Sequence, residues 1–293
     1  MNYNGVLTME LVVRNVNEAF SEIFWRLKAL NLLPEQTRNG PALVYPELVT
    51  TVYRRPTERV LFHDGRDANP IFHLMESIWM LAGRNDVGFV KMFNQRMGEF
   101  SDDSEFFNAA YGHRWRTHFG HDQLVEVIEL LRRDPTTRQA VIQIWDSTDL
   151  TKSTKDKACN TQIIFDVRQD RLNMTVFNRS NDIWWGAYGA NAVHFSFLQE
   201  FVASATGYAV GVYRQVSNNL HLYTELYDAK KYVESPPDSD EYDYYSMQAV
   251  SVTPLMLNDD YQSFLAECKT FCEDPFELNI KYRHPFFSTV ARP

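Results

Sequence analysis

A chain of 293 residues, 44% of them hydrophobic, is long enough to bury one sizeable core. Its net charge of −9 excludes a non-specific nucleic-acid surface, because proteins that track phosphates present clustered positive charge; any anionic ligand must be met by a few placed arginines. No apolar run approaches the roughly 20 residues that span a bilayer, and the start MNYNGVLTMELVV lacks a basic region and a cleavage site, so a soluble, cytoplasmic protein is expected.

The elements follow in chain order. Asn15 caps a helix predicted over 15–32, where Val16, Phe20, Ile23, Phe24, Leu27 and Leu30 recur at helical spacing. ALVYPELVTTVYRR (42–55) and VLF (60–62) are rich in β-branched and aromatic residues and predict strands. Asn69-Pro70 opens and Gly83 closes a largely buried helix with Glu76 near its middle. Residues 98–110 read as an irregular connection, and 122–133 as an amphipathic helix ended by Asp134-Pro135. Strands are predicted at 139–145, 161–168 and 171–178, the last two joined by a tight Gln169-Asp170 turn. NAVHFSFLQEFVASATG (191–207), apolar nearly all round apart from Glu200, predicts a central helix, and YAVGVYRQ another strand. The acidic, proline-bearing stretch 232–245 reads as a surface insertion. Strands and helices mix without regular βαβ alternation, which predicts an α+β fold in a single domain, 1–293.

The polar groups carry the chemistry. Of three cysteines, Cys268 and Cys272 lie close together in ECKTFC and Cys159 stands alone, so neither a disulfide framework nor a metal site is expected. Most free cysteines are small buried hydrophobes, but Cys159 ends the polar loop DSTDLTKSTKDKA just before a strand, where its sulfur can be reached and a guanidinium can raise its thiolate fraction. Arg179, Ser180 and Asp182 fall where an apolar strand ends; beside WWGAYGAN they suit a flat aromatic ligand better than a solvated turn. Glu76, among Phe72, Met75, Ile78, Trp79 and Leu81, is either the edge of an amphipathic face or a buried carboxylate with catalytic work to do.

These residues resemble the thymidylate synthase superfamily, which includes the deoxycytidylate hydroxymethylases, across nearly the whole chain from Arg38 onward. NRSND with a following glycine and Asn191 is similar to the family's Arg-Ser-x-Asp, Gly and Asn signature, and HLY (221–223) to its sugar-binding His-x-Tyr. DPTTR (134–138), IWDSTDL, YGHRWR (111–116), HLMESIWML, RNGP (38–41) and YRHP (282–285) match further family segments in the family's order. The resemblance implies a thymidylate-synthase-like fold with a large mixed β-sheet flanked by helices, and transfer of a one-carbon unit from 5,10-methylenetetrahydrofolate to C5 of a pyrimidine nucleoside 5′-monophosphate. Cys159 would add to C6 and make C5 nucleophilic. Arg179 would activate that thiolate and hold the phosphate with Ser180 and Arg38. Arg138 would reach the phosphate from the partner subunit of a homodimer. Asn191 would pair with the base, His221 and Tyr223 with the ribose 3′-hydroxyl, and Asp182 with the pterin. Glu76 would relay protons through water, and Tyr111 would assist proton removal at C5.

Departures from the family pattern bear on the subfamily. Cys159-Asn160 replaces the usual Cys-His, Arg138-Gln139 the paired arginines, and Tyr188-Gly189-Ala190-Asn191 a base-reading turn one residue shorter. Met97 and Phe100 fall near where aromatic partners of folate are found, and the chain given ends in VARP. An altered folate wall favours capture of water over hydride transfer, hence hydroxymethylation over methylation. Asparagine at 191 favours dUMP, with dCMP and CMP, methylation included, as alternatives. A non-catalytic nucleotide-binding homologue would tolerate loss of Cys159, and the acidic charge disfavours RNA as a main ligand.

Overall fold

A computed structural model describes residues 9–225, 229–255, 257, 260–277 and 279–290. Its elements in chain order are β1 (Met9–Val13), α1 (Val16–Leu30), β2 (Glu35–Thr37), β3 (Gly40–Val44), β4 (Val49–Tyr53), α2 (Pro70–Leu81), α3 (Val87–Phe93), α4 (Tyr111–Arg116), α5 (Gln123–Arg133) and β5 (Val141–Gln143). There follow β6 (Asn160–Arg168), β7 (Arg171–Asn178), β8 (Asn181–Asp182), α6 (Asn191–Thr206), β9 (Ala209–Ser217), β10 (Leu220–Tyr223), α7 (Ala229–Glu234), α8 (Ser239–Tyr242), α9 (Tyr261–Glu273) and α10 (Pro285–Val290). Six strands form a mixed sheet in the order β1-β4-β9-β7-β6-β5, with β1 parallel and β9 antiparallel to β4, and four form a second sheet, β2-β3-β10-β8. This is the mixed α+β organisation that the sequence predicts. Among the described residues no helix is long and apolar enough to cross a membrane. The chain groups into two compact units, each discontinuous in sequence: Met1–Ala68, Met174–Ser196 and Gly211–Val252; and Asn69–Asn173, Phe197–Val210 and Thr253–Pro293.

In the first unit, α1 forms where predicted. The Asn15 side chain accepts from the Asn17 and Glu18 amides, satisfying donors that the first turn leaves open, and Phe20, Ile23, Phe24 and Leu27 are fully buried. Two expectations are corrected here. VLF at 60–62 forms no strand: the Asn17 side chain takes the place of a ladder, donating to Val60 O and accepting from Phe62 N. The stretch 232–245 is only partly a surface insertion, since Asp243 and Tyr245 are buried. Both Asp243 carboxylate oxygens accept from Asn15 Nδ2 at 3.0–3.1 Å, and the Tyr245 hydroxyl accepts from Val60 N. Acidic composition marked the segment as solvated; a buried amide donor made it structural.

In the second unit, Asn69 caps α2 by accepting from Phe72 N, and Gly83 follows its end at φ +73°. The turn Gln169-Asp170 has both residues at positive φ, as a two-residue hairpin requires. The part of α6 from Phe197 on lies in this unit, is buried through Ala203, and its polar residues are used: Gln199 donates to Leu172 O, while Glu200 accepts from Leu255 N. The segment YGHRWR becomes α4, packed so closely on α2 that a Cβ on Gly112 would lie 2.0 Å from Met80 O. From this helix Arg114, 1% exposed, forms a two-pronged pair with Asp149 at 2.9 Å and donates to Ile144 O and Asn108 O. Asp149 also accepts from Asp146 N, closing a capping box over 146–149.

Removing one partner of such a pair leaves a buried charge uncompensated. Asp149→Ala is expected to lower the unfolding free energy by roughly 3–5 kcal/mol in denaturant titration. Glu99→Ala, which breaks the exposed Arg96–Glu99 pair at 3.9 Å, should change it by less than about 1 kcal/mol.

Candidate active site

The second unit supplies the thiol. Cys159, partly exposed, ends the loop before β6, with its Sγ 4.0 Å from Lys157 O. The loop is pinned by Asp156, whose carboxylate accepts from Ala109 N at 2.9 Å, and whose carbonyl accepts from Asn108 Nδ2 at 3.0 Å. Burial raises the Asp156 carboxyl above its ordinary pKa, although the Ala109 and Asn108 contacts oppose the shift. Because Asn108 also accepts from Arg114 through its carbonyl, the buried ion pair and the thiol loop share one anchor. Tyr111, at the start of α4, is thereby brought to Cys159. Burial pushes its phenol well up, the neighbouring Cys159 adds to the rise, and the backbone amides of Asn160 and Cys159 oppose it. Glu76 lies half-buried at the middle of α2, and Arg138 is exposed just past the 134–137 turn. Among the described residues Arg138 forms no ion pair or hydrogen bond. Met97 is half-buried and Phe100 exposed, while the VARP ending falls outside the described residues from Ala291 on.

The first unit gathers the remaining candidates on its four-stranded sheet. β10 pairs with β3, placing Tyr223 opposite Ala42, and runs parallel to β8, placing His221 beside Asp182. Arg38 is exposed at the turn between β2 and β3, and the next residue, Asn39, donates to the Tyr223 hydroxyl at 3.2 Å. His221 is buried, with Nδ1 2.9 Å from Asn219 Oδ1; burial lowers its pKa, so the ring is neutral, Nδ1 carries the proton and Nε2 is an acceptor. Arg179, exposed, and Ser180, partly exposed, immediately precede β8.

Asp182 caps the helical turn 183–190 by accepting from Trp185 N at 2.8 Å. Its other oxygen, Oδ1, is buried without a hydrogen-bond partner among the described residues. Burial raises the Asp182 carboxyl to about 6, against the opposing effects of the Trp185 and Trp184 amides and Arg66. Of the two tryptophans read as a platform for a flat ligand, Trp184 belongs to the core, against Phe20, Phe24 and Tyr232; Trp185 is 37% exposed. The turn itself is wide: the Asn191 amide donates to Gly186 O, five residues back, and the path leaves helical geometry at Tyr188 and Gly189. The extra residue is thus absorbed before α6. Asn191, not Ala190, presents the polar group, and its Nδ2 donates to Asn181 Oδ1 at 3.1 Å.

Sequence reasoning missed the residues that orient the others: Asn181, Asn219, Asn39, Asn108 and Asp156. For the four asparagines the one visible signal was the density of short amides around the motifs.

The family model described as thymidylate synthase matches residues 69–240. A deoxyuridylate hydroxymethyltransferase of Pseudomonas phage M6 is 46% identical over 287 residues, covering 96% of this chain and 81% of that protein. The chain belongs to the thymidylate synthase family. A second relative of this thymidylate synthase family member, the deoxyuridylate hydroxymethyltransferase of Bacillus phage SP01, is 43% identical over 61% of this chain, which spans half of that protein. A thymidylate synthase of Symbiobacterium thermophilum is 30% identical over 58% of this chain and 68% of its own length.

Asp182 has a pKa raised on folding, so it stabilises the fold fully below its unfolded value, and this contribution is lost as pH rises through about 6. The rise from 3.8 to about 6 bounds the loss at about 3 kcal/mol. Asp182→Asn keeps the cap and removes the ionisation. The variant should gain stability over the parent as pH rises from about 4 to about 6, read as a melting-temperature difference that widens across that range and stays constant above about pH 7.

Proposed function

We propose that the chain is a one-carbon transferase that hydroxymethylates C5 of dUMP. The observation that carries the reading is the likeness to the phage deoxyuridylate hydroxymethyltransferase over nearly the whole chain, with a reachable thiol at position 159. Cys159 Sγ adds to C6 of the pyrimidine, and the electron pair displaced toward C5 makes that carbon a nucleophile. Arg179, Ser180 and Arg38 hold the phosphate; the chain's acidic balance leaves this task to a few guanidinium groups. His221 Nε2, the acceptor of a neutral ring, takes a hydrogen bond from the ribose 3′-hydroxyl with Tyr223 beside it, and Asn191 reads the base.

The residues present fit 5,10-methylenetetrahydrofolate, because the buried, unpartnered Asp182 Oδ1 suits the N–H donors of a pterin. When bound, that group supplies the one-carbon unit at the oxidation level of formaldehyde. Glu76 holds and moves protons through water. Tyr111, whose phenol burial keeps protonated at neutral pH, positions the acceptor of the C5 proton rather than ionising itself.

We further propose a homodimer in the cytoplasm, with the whole chain as one catalytic domain and Arg138, exposed and uncommitted in the subunit, reaching the phosphate of its partner's substrate. The reaction is tested by supplying dUMP and methylenetetrahydrofolate: 5-hydroxymethyl-dUMP should form without dihydrofolate, and Cys159→Ser should abolish it. Dihydrofolate appearing in step with a methylated product would overturn hydroxymethylation. Mixing inactive Cys159→Ser and Arg138→Ala proteins after subunit exchange should restore about a quarter of parental activity, since half of randomly paired dimers then hold one complete site; no recovery would refute donation across the interface.

A further inference from the structure

We propose that Asn181 determines base specificity by fixing which way round the Asn191 amide stands. The proposal rests on Asn191 being the base reader and deepens that assignment. A carboxamide presents a carbonyl oxygen and an NH2 group of nearly the same size. Free to turn over, it pairs as well with the N3 and N4 edge of cytosine as with the N3–H and O4 edge of uracil. Asparagine alone is therefore a poor discriminator.

Asn191 is not free. Its Nδ2 donates to Asn181 Oδ1 at 3.1 Å, with the two residues only 8% and 2% exposed, and Asn181 Nδ2 lies 3.1 Å from Ser217 Oγ. Turning Asn191 over would set its carbonyl oxygen against that of Asn181, two acceptors with no proton between them. The held amide keeps one N–H for a ligand. It also keeps its carbonyl oxygen, which has no hydrogen-bond partner among the described residues. With dUMP as substrate, this fixed arrangement accepts from uracil N3–H and donates to O4. Cytosine, with donor and acceptor exchanged, meets like against like.

Two further features converge on the pair. The wide turn that absorbs the extra residue delivers Asn191 to Asn181, through the Asn191 N–H bond to Gly186 O. At Gly186, a Cβ would lie 2.7 Å from Asn181 Oδ1 and 3.2 Å from Asn191 Nδ2, so only glycine leaves room for the contact.

The test is the ratio of kcat/KM for dUMP to that for dCMP in the full-length enzyme, with thermal melts to establish folding. Asn181→Ala should lower the ratio roughly tenfold, the worth of one oriented hydrogen bond. Asn181→Asp, which can only accept and to which the Ser217 hydroxyl can turn and donate, should hold it near the parental value. If Asn181→Ala lowers both substrates equally, Asn181 is structural and the proposal fails. The same holds if Asp behaves like Ala. Asn191→Ala separates the underlying assignment: a collapsed ratio there beside an unchanged one in Asn181→Ala overturns the lock alone, whereas an unchanged ratio in both overturns Asn191 as the reader and the lock with it.

Discussion

A guanidinium with 1% of its surface exposed must have its charge answered inside the protein, and Arg114 does this by reaching three residues outside its own helix. From α4 it meets Asp149 beyond β5, the carbonyl of Ile144, and the carbonyl of Asn108. Asn108 in turn holds the carbonyl of Asp156, three residues before the thiol. The position of Cys159 next to Tyr111 is thus inherited from an ion pair whose two side chains are each 1% exposed. Such a pair is a weak source of net stability but a strong constraint on arrangement, because any alternative packing strands a charge.

The first unit solves a different problem, that of holding polar side chains in fixed orientations while leaving some of their atoms open. Its device is the short amide. Asn219 accepts a hydrogen bond from His221 Nδ1 and so leaves Nε2 as an acceptor; Asn39 donates to Tyr223; Asn181 holds Asn191. Each supporting amide fixes one atom of its neighbour and leaves the opposite atom available. Asp182 shows the same economy in ionic form, one oxygen occupied by the turn it caps and the other buried and open. A carboxylate so placed resists ionisation, which makes it a sensitive part of the fold as well as of the site.

The motifs were legible because chemistry restricts residue type. Cys, Arg-Ser-x-Asp, His-x-Tyr and Tyr-Gly-x-x-Trp-Arg cannot be exchanged freely, and their order carried the family. Helices with strong caps were equally legible: Asn15 and Asn69 bond the backbone amides that their positions predict. Errors arose where long-range partners overrode local signals. The 60–62 run is strand-like by composition, yet its hydrogen bonds go to Asn17. The acidic 232–245 stretch looks solvated, yet Asp243 is buried because Asn15 supplies donors from far away in sequence. Trp184 looked like a ligand platform and proved to be core.

The sequence by itself determined the family and the candidate groups: a thiol, a few arginines, short amides and an acidic chain, all properties of residue identity and order. Only the tertiary structure decided orientation. The letters GAYGA do not say where the backbone bends; the chain leaves helical geometry at Tyr188 and Gly189, and the Asn191 N–H bonds Gly186 O across that kink. Which side chain holds which is decided by separations of about 3 Å, between Asn181 and Asn191 across one turn and between Asn181 and the more distant Ser217, and such distances follow from packing rather than from composition.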